Sequence, residues 1–152
     1  LTGLAQGAVG IVEIEDNLPI KEGNLNDISP YLPALPIRNS ANLQLIEKND
    51  KTPDIEVNIR ATYPISGSIA PNKGKYWQIY RTAGSQSTFS CQWSPSVSIP
   101  VGIIDDSGNW LGGGYYAGRC TLTATFNQSG NYSWVLLNNS SSTITYNGSI
   151  TY

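Results

Sequence analysis

The sequence predicts an all-β protein folded as a single Ig-like or pilin-like β-sandwich. Two observations carry this prediction. Apolar and polar residues alternate over most of the chain after residue 42, and no segment repeats its apolar residues with a helical period of about 3.6. Gly, Pro and Asn separate the alternating segments into about nine or ten strands. With 152 residues, the chain is long enough for one domain with its own core.

An apolar strand is predicted close to the N-terminus, at residues 7–14 within the segment 1–14. It is apolar on both faces, which is typical of a fully buried strand. Left in water, such a strand would pair with any open sheet edge, so it must insert either into its own domain or into a neighbour. We therefore treat it as a candidate donor strand, made of Ala8, Val9, Gly10, Ile11, Val12, Glu13 and Ile14.

Residues 15–39 are predicted to be a connector without secondary structure. They contain Pro19, Pro30, Pro33 and Pro36, and prolines exclude both a central strand and a long helix. Fully extended at about 3.3 Å per residue, this connector would reach about 80 Å. That length would carry the first strand well outside its own domain.

The sandwich domain is expected to span residues 40–152. Leu43 and Leu45 begin the alternation, and residues 55–63 form the clearest half-buried strand. Pro64 and Gly67 are expected to end that strand, before an apolar segment at residues 76–80.

Two later strands carry the cysteines on their apolar faces. Cys91 shares a face with Trp93, and Cys120 shares a face with Leu122. We expect the two strands to face each other across the sandwich and the cysteines to form a disulfide. The alternative is two small, buried free thiols. A bridge would contribute roughly 3–4 kcal/mol in the chain-entropy model and would imply an oxidising compartment.

Between the cysteines, residues 97–103 alternate, and Pro100 predicts an edge strand or a bend. Asp105 and Asp106 could ligate Ca²⁺, but Ser107 and Gly108 follow them and favour a turn. Residues 112–114 are three consecutive glycines, which predict a loop or a bulge.

At the C-terminus, Asn147 and Gly148 form a dipeptide that often marks a hairpin turn. A two-residue turn here would place Ile144 and Ile150 on opposite faces, whereas a continuous strand places them on one face. We therefore predict one long C-terminal strand, with a three-residue turn and bulge as the alternative.

Charge, hydropathy and residue composition exclude several classes of function. The net charge is −2, with no basic cluster that would indicate nucleic-acid binding. No apolar run reaches the roughly 20 residues that a membrane span requires. The chain contains no His, the commonest general base, and no nucleophile–base pair or metal cluster. We therefore expect neither an enzyme nor a bound cofactor or metal.

The pattern Asn-X-Ser/Thr predicts sites of N-linked glycosylation near the C-terminus. Alternatively, these residues merely mark turns in an Asn- and Ser-rich segment. The pattern is absent before residue 127, and its asparagines are Asn127, Asn131, Asn138, Asn139 and Asn147.

These features resemble the subunits of archaeal thread-type extracellular filaments, which are glycosylated β-sandwich proteins joined by donor-strand complementation. The resemblance rests on residues 8–14, the pair Cys91 and Cys120, and the acceptor asparagines. It implies that the N-terminal strand fills a groove in the neighbouring subunit, that N-linked glycans coat the surface, and that the filament serves adhesion or biofilm formation at the cell surface.

The main alternative is a secreted, lectin-like adhesin whose first strand folds into its own sandwich. Aromatic side chains can stack on sugar rings, and Trp110, Tyr115 and Tyr116 beside the glycine-rich segment are the candidates for such a platform. Core packing is the competing explanation for these rings.

Overall fold

The computed structural model describes residues 20–34, 42–47 and 61–152. In chain order, the strands are β1 (Ile20–Leu25), β2 (Leu43–Glu47), β3 (Thr62–Ile69), β4 (Lys73–Arg81), β5 (Gln86–Ser94), β6 (Ser98–Asp105), β7 (Trp110–Ala117), β8 (Arg119–Phe126), β9 (Gly130–Asn138) and β10 (Ile144–Thr151). A short 3₁₀ helix, Ser29–Ala34, follows β1.

The strands form two five-stranded sheets whose neighbouring strands are antiparallel. The first sheet has the order β1-β4-β9-β6-β7, and the second has the order β2-β8-β5-β10-β3. Inward-facing residues of both sheets form one apolar core between them. The prediction of an all-β sandwich is therefore confirmed.

Aromatic rings fill the centre of the core. Phe89 of the second sheet stacks on Trp134 of the first, with ring centroids 5.3 Å apart. Trp77 contacts Phe89 at 5.6 Å and meets Tyr146 edge-on at 5.9 Å. These contacts join the two sheets, and pairs of this kind stabilise a fold by about 0.5–1.5 kcal/mol beyond their buried area.

A second, smaller apolar cluster lies on the outer face of the first sheet. Residues 26–34, here called the strap, cross this face, and Ile28 packs there against Val135 and Leu137. The indole Nε1 of Trp110 donates a hydrogen bond to the Tyr31 carbonyl at 2.7 Å. Because the strap covers one face and the core covers the other, Tyr132–Asn138 is buried throughout and shows no alternation.

The predicted connector is wrong for residues 20–34, which form β1 and the strap. β1 can form despite the neighbouring prolines because it lies at a sheet edge and Pro30 falls in the 3₁₀ helix beyond it. Five residues, 15–19, therefore separate Ile14 from the sandwich. Fully extended, they allow Ile14 to lie at most about 20 Å from Ile20, and not about 80 Å.

The long C-terminal strand is confirmed, since β10 runs without a turn between β3 and β5. A Cβ at Gly148 would collide with the Ser90 carbonyl and lie 2.7 Å from the Cys91 Cα. Gly148 is thus a point of close strand approach and not part of a hairpin turn.

Several expected breaks are instead accommodated within strands. β3 continues through Pro64 and Gly67, and proline is tolerated there because β3 is an edge strand. Residues 55–60 lie outside the described part of the chain.

The edge-strand prediction for Pro100 is wrong because β6 lies between β9 and β7. Proline is tolerated there because Pro100 precedes Val101, the first residue of β6 that is paired with β9.

The three consecutive glycines lie inside β7 and do not form a loop. A Cβ at Gly113 would collide with the Val101 carbonyl, so β7 can pair closely with β6 only without side chains there. The register of the two strands shifts between Ile103 and Ile104, which provides the bulge that the glycines predicted.

Candidate functional site

The predicted donor strand, residues 8–14, lies outside the described residues. The structure describes the sandwich itself, including the edge strands of its two sheets. Of the helical turns in the described ranges, none is long and apolar enough to cross a membrane.

The two cysteines lie in one sheet. Cys91 of β5 and Cys120 of β8 are direct partners on neighbouring antiparallel strands, and both thiols are free. The expectation that they face each other across the sandwich is wrong, because side-chain alternation fixes which face a residue occupies but not which strands become neighbours. Burial raises the pKa of Cys91 to about 12 and raises the pKa of Cys120 further, with Cys91 itself adding to the second effect.

We expect these thiols to react slowly with iodoacetamide in the folded protein. At pH 8 a thiol with the ordinary pKa of 9.0 is about one-tenth thiolate, whereas a pKa of about 12 leaves about one in ten thousand, so alkylation slows about 10³-fold. The rate should rise with pH up to that pKa. Mass spectrometry of samples labelled with and without denaturant checks this; equal rates in both samples would contradict it.

Four of the five predicted glycosylation sites keep some contact with solvent. Asn127 and Asn131 are exposed on either side of the turn between β8 and β9, and Asn147 is exposed on the outer face of the second sheet. Asn139 is half-buried, and its amide donates a hydrogen bond to the Tyr115 hydroxyl at 3.1 Å.

Asn138 is a structural residue, and the prediction that it carries a glycan is wrong for the folded protein. Its side chain is 0% exposed, and its amide nitrogen donates to the carbonyls of Ile69 at 2.9 Å and Ser142 at 2.7 Å. Its amide oxygen accepts from the backbone N–H and the hydroxyl of Ser140. Both amide hydrogens are therefore committed, and no space remains for a sugar.

The carboxylate of Asp105 organises a turn, as expected. It accepts hydrogen bonds from the backbone N–H groups of Ser107 and Asn109, each at 2.9 Å. Asp106 instead accepts from the Gln78 amide at 3.3 Å. The two carboxylates thus serve different partners, and the described ranges contain no group of three or more Cys, Asp or Glu side chains able to hold a metal ion.

The aromatic candidates do not form a common platform. Trp110 is partly buried beneath the strap, and its Nε1 is bonded to a backbone carbonyl. Tyr115 is 43% exposed, while Tyr116 packs against the core between the sheets, where burial raises its pKa to about 12. Adjacent strand residues point to opposite faces, so Tyr115 and Tyr116 cannot stack on one sugar.

The most distinctive polar site is a cleft between β1 and β3, the edge strands of the two sheets on one side of the sandwich. We call it the β1–β3 cleft. Lys75 of β4 forms an ion pair with Glu22 of β1 at 3.0 Å, and the Tyr63 hydroxyl of β3 donates to the other Glu22 oxygen at 3.4 Å. At one end the cleft opens into a pocket of about 250 Å³, whose lining includes Asn24, Ala70 and Lys73.

Behind these residues lie two buried polar atoms without a partner among the described residues, the Tyr146 hydroxyl and Trp77 Nε1. The Tyr146 ring extends from β10 over Gly67 of β3, where a Cβ would lie 3.0 Å from the hydroxyl oxygen. Burial, followed by the nearby Glu22 carboxylate, raises the Tyr146 pKa. Such orphaned groups are rare in native proteins, since each costs about 1–3 kcal/mol.

Sequence reasoning missed this cleft, although one signal for it was present. Lys75 lies two residues before Trp77, so a charge occupies the face of β4 that points inward. Tyr146 lies on the inner face of β10 with Ile144 and Ile150, as the prediction of one continuous strand requires. Its lack of a hydrogen-bond partner depends on tertiary contacts that the sequence pattern does not contain.

Comparison of the sequence with protein-family models found no matching family, and comparison with curated proteins found no match. The functional argument therefore depends on the residues and the fold.

Proposed function

We propose that this chain is a structural subunit of an extracellular filament that polymerises head to tail. In this proposal, residues 7–14 of one subunit add a strand to the sandwich of the next subunit. The observation that carries the proposal is that this apolar segment precedes, by five residues, a strand at the edge of an open cleft. The segment is therefore tethered close to a sheet edge.

The energetics permit insertion. Burying Val9, Ile11, Val12 and Ile14 contributes about 6–10 kcal/mol, and each new backbone hydrogen bond adds about 1 kcal/mol. Ordering eight residues costs about 8–16 kcal/mol. The favourable free energy of burial and hydrogen bonding nearly balances the cost of ordering, so the fit of the groove decides whether the strand binds.

The form of the assembly follows from the type of contact. Insertion of a terminal strand into a neighbour joins two different surfaces, and repetition of such a contact without closure produces a filament. The exposed asparagines Asn127, Asn131 and Asn147 are consistent with a glycosylated outer surface. We further propose that the filament lies at the cell surface and serves adhesion.

Substitution of the apolar segment tests this proposal. A variant of the full chain with Val9, Ile11, Val12 and Ile14 replaced by Ser should remain folded but lose polymers. Electron microscopy should show no filaments, and SDS gels should show no ladder. Size-exclusion chromatography should find monomers with an unchanged β-sheet circular dichroism spectrum.

The control replaces Leu1 and Leu4 by Ser, which removes apolar residues of the same terminus outside residues 7–14, and its filaments should persist. Two results would reject the proposal. Filaments of the four-Ser variant would show that the segment is not the donor, and unfolding of that variant would place the segment in its own sandwich.

A further inference from the structure

We infer that the β1–β3 cleft is the acceptor site for residues 7–14 of a second copy of this chain. This inference rests on the proposed function and goes beyond it by naming the groove. Four observations support it: the orphaned atoms, the contrast between the two sides of the sandwich, the charges in the cleft, and the start of β1.

The buried hydroxyl of Tyr146 requires an acceptor that none of the described residues supplies. It lies over Gly67, beside the edge of the second sheet. A strand entering the cleft would bring backbone carbonyls, one of which would accept this hydrogen bond. Buried polar groups are normally paired, so the orphaned hydroxyl marks the position of a missing partner.

The edge strands of the two sheets are in closer contact on one side of the sandwich than on the other. On the opposite side, β2 packs along β7, while β1 and β3 approach each other at fewer points. Across the cleft, Tyr63 and Glu22 form a long hydrogen bond of 3.4 Å between exposed groups. Breaking that hydrogen bond costs little free energy. The inserted strand would then lie between Tyr63 and Glu22 at the mouth of the cleft.

The charges are complementary. Glu13 is the single charged residue of residues 7–14, and the cleft presents Lys73 beside Lys75, which is already paired with Glu22. The Lys73 ammonium donates to the Asn26 carbonyl at 2.8 Å, and among the described residues no carboxylate lies within salt-bridge distance of it, although its charge also acts on the nearby Asp27 carboxylate. We therefore place Glu13 near Lys73, which fixes the register of the inserted strand.

The start of β1 determines where the donor leaves its own subunit. Ile20 pairs with Ile79, whereas the pocket lies at the other end of β1, where Leu25 pairs with Gly74. The residues that precede β1 therefore join the sandwich at one end, and the cleft opens at the other end. This arrangement suits a head-to-tail chain of copies.

Cross-linking of the full-length chain tests the site. Glu15→Cys, just outside residues 7–14, and Ala70→Cys are combined, filaments are treated with a short bis-maleimide, and the products are separated on SDS gels after boiling. We expect a covalent ladder that requires both cysteines. Cys91 and Cys120 should remain unlabelled because their thiols are buried and protonated.

The matched control pairs Glu15→Cys with Tyr115→Cys, which lies on β7 at the opposite side of the sandwich and should give no ladder. Filaments that show no link to position 70 would overturn the site but leave the proposed function standing. A link within one chain would show insertion into the same subunit and overturn both. Absence of filaments from the unmodified protein would overturn the proposed function.

A second measurement does not depend on cross-linking. Tyr146→Phe should release subunits from filaments about five-fold faster, because it removes a hydrogen bond made only with the donor. The midpoint of unfolding of the monomer should not fall. In the control Tyr132→Phe, the lost bond is to the Gln128 carbonyl of the same subunit, so the midpoint should fall and the release rate should stay unchanged. Unaltered release from the Tyr146→Phe filaments would overturn the inferred site.

Discussion

Replacing Gly148 by Ala should lower the free energy of unfolding by about 3 kcal/mol, the upper end for overpacking of a well-packed site. The new methyl group would collide with the backbone carbonyl of Ser90 in the neighbouring strand. β10 is paired on both sides, so it can move away from β5 only by disturbing its pairing with β3. Relief by a side-chain rotation is excluded because the obstacle is backbone.

The measurement is thermal or urea unfolding of Gly148→Ala beside Gly130→Ala. At position 130 a Cβ would meet its nearest neighbour, the Tyr132 ring, at 3.8 Å, an ordinary contact. This control should change stability by no more than about 0.5 kcal/mol. For a chain of this size the Gly148→Ala midpoint should fall by about 6–12 °C. Equal midpoints for the two variants would show that β10 does not approach β5 as described.

Asn138→Asp should be the most destabilising of the polar substitutions considered, at about 3–5 kcal/mol. The carboxylate cannot donate to the carbonyls of Ile69 and Ser142, which the Asn138 amide now satisfies. It would place a negative charge beside both oxygens at a position without exposure to solvent. The loop between β9 and β10 would lose its attachment to the end of β3.

Asn131→Asp is the control, because it makes the same chemical change at an exposed asparagine of the same strand. Its stability should stay within about 0.5 kcal/mol of the parent protein. Urea unfolding followed by Trp fluorescence compares the two variants. Peptide mapping of the native protein should find position 138 without a glycan; a sugar on that residue would contradict the buried hydrogen-bond network.

The register of the C-terminal strand could be predicted because its apolar residues leave one consistent solution. Ile144, Tyr146 and Ile150 share the inner face only if the strand continues through Gly148. The pattern outweighed the turn preference of Asn-Gly because a buried face fixes strand register strongly. The same logic correctly placed Cys91 and Cys120 on inner faces.

The connector prediction for residues 15–39 is wrong at β1 and the strap because proline excludes a central strand and a long helix but permits an edge strand and a short 3₁₀ helix. β1 carries Lys21 and Glu22 and lacks a clear alternation, and as an edge strand it still keeps its pairing to β4. Its stability comes from that pairing and from the strap, both of which are tertiary contacts. Sequence periodicity contains no information about them.

The candidate site was only partly predictable for a related reason. The apolar segment at residues 7–14 is recognisable from sequence alone because its apolar residues occupy both faces. The β1–β3 cleft is not, since Glu22, Lys75 and Tyr63 come from three strands that are distant along the chain. Strand order also decided that the cysteines are neighbours in one sheet.

The double burial of β9 has a consequence for how the domain opens. Tyr132–Asn138 is paired with β4 and β6 and is shielded by the core on one side and the strap on the other. Its amide protons can therefore exchange with deuterated water only after the strap has detached, the strand pairing has broken and the core has opened. In hydrogen exchange, those amides would report the global unfolding of the molecule, while β1 and β3 would report local fraying.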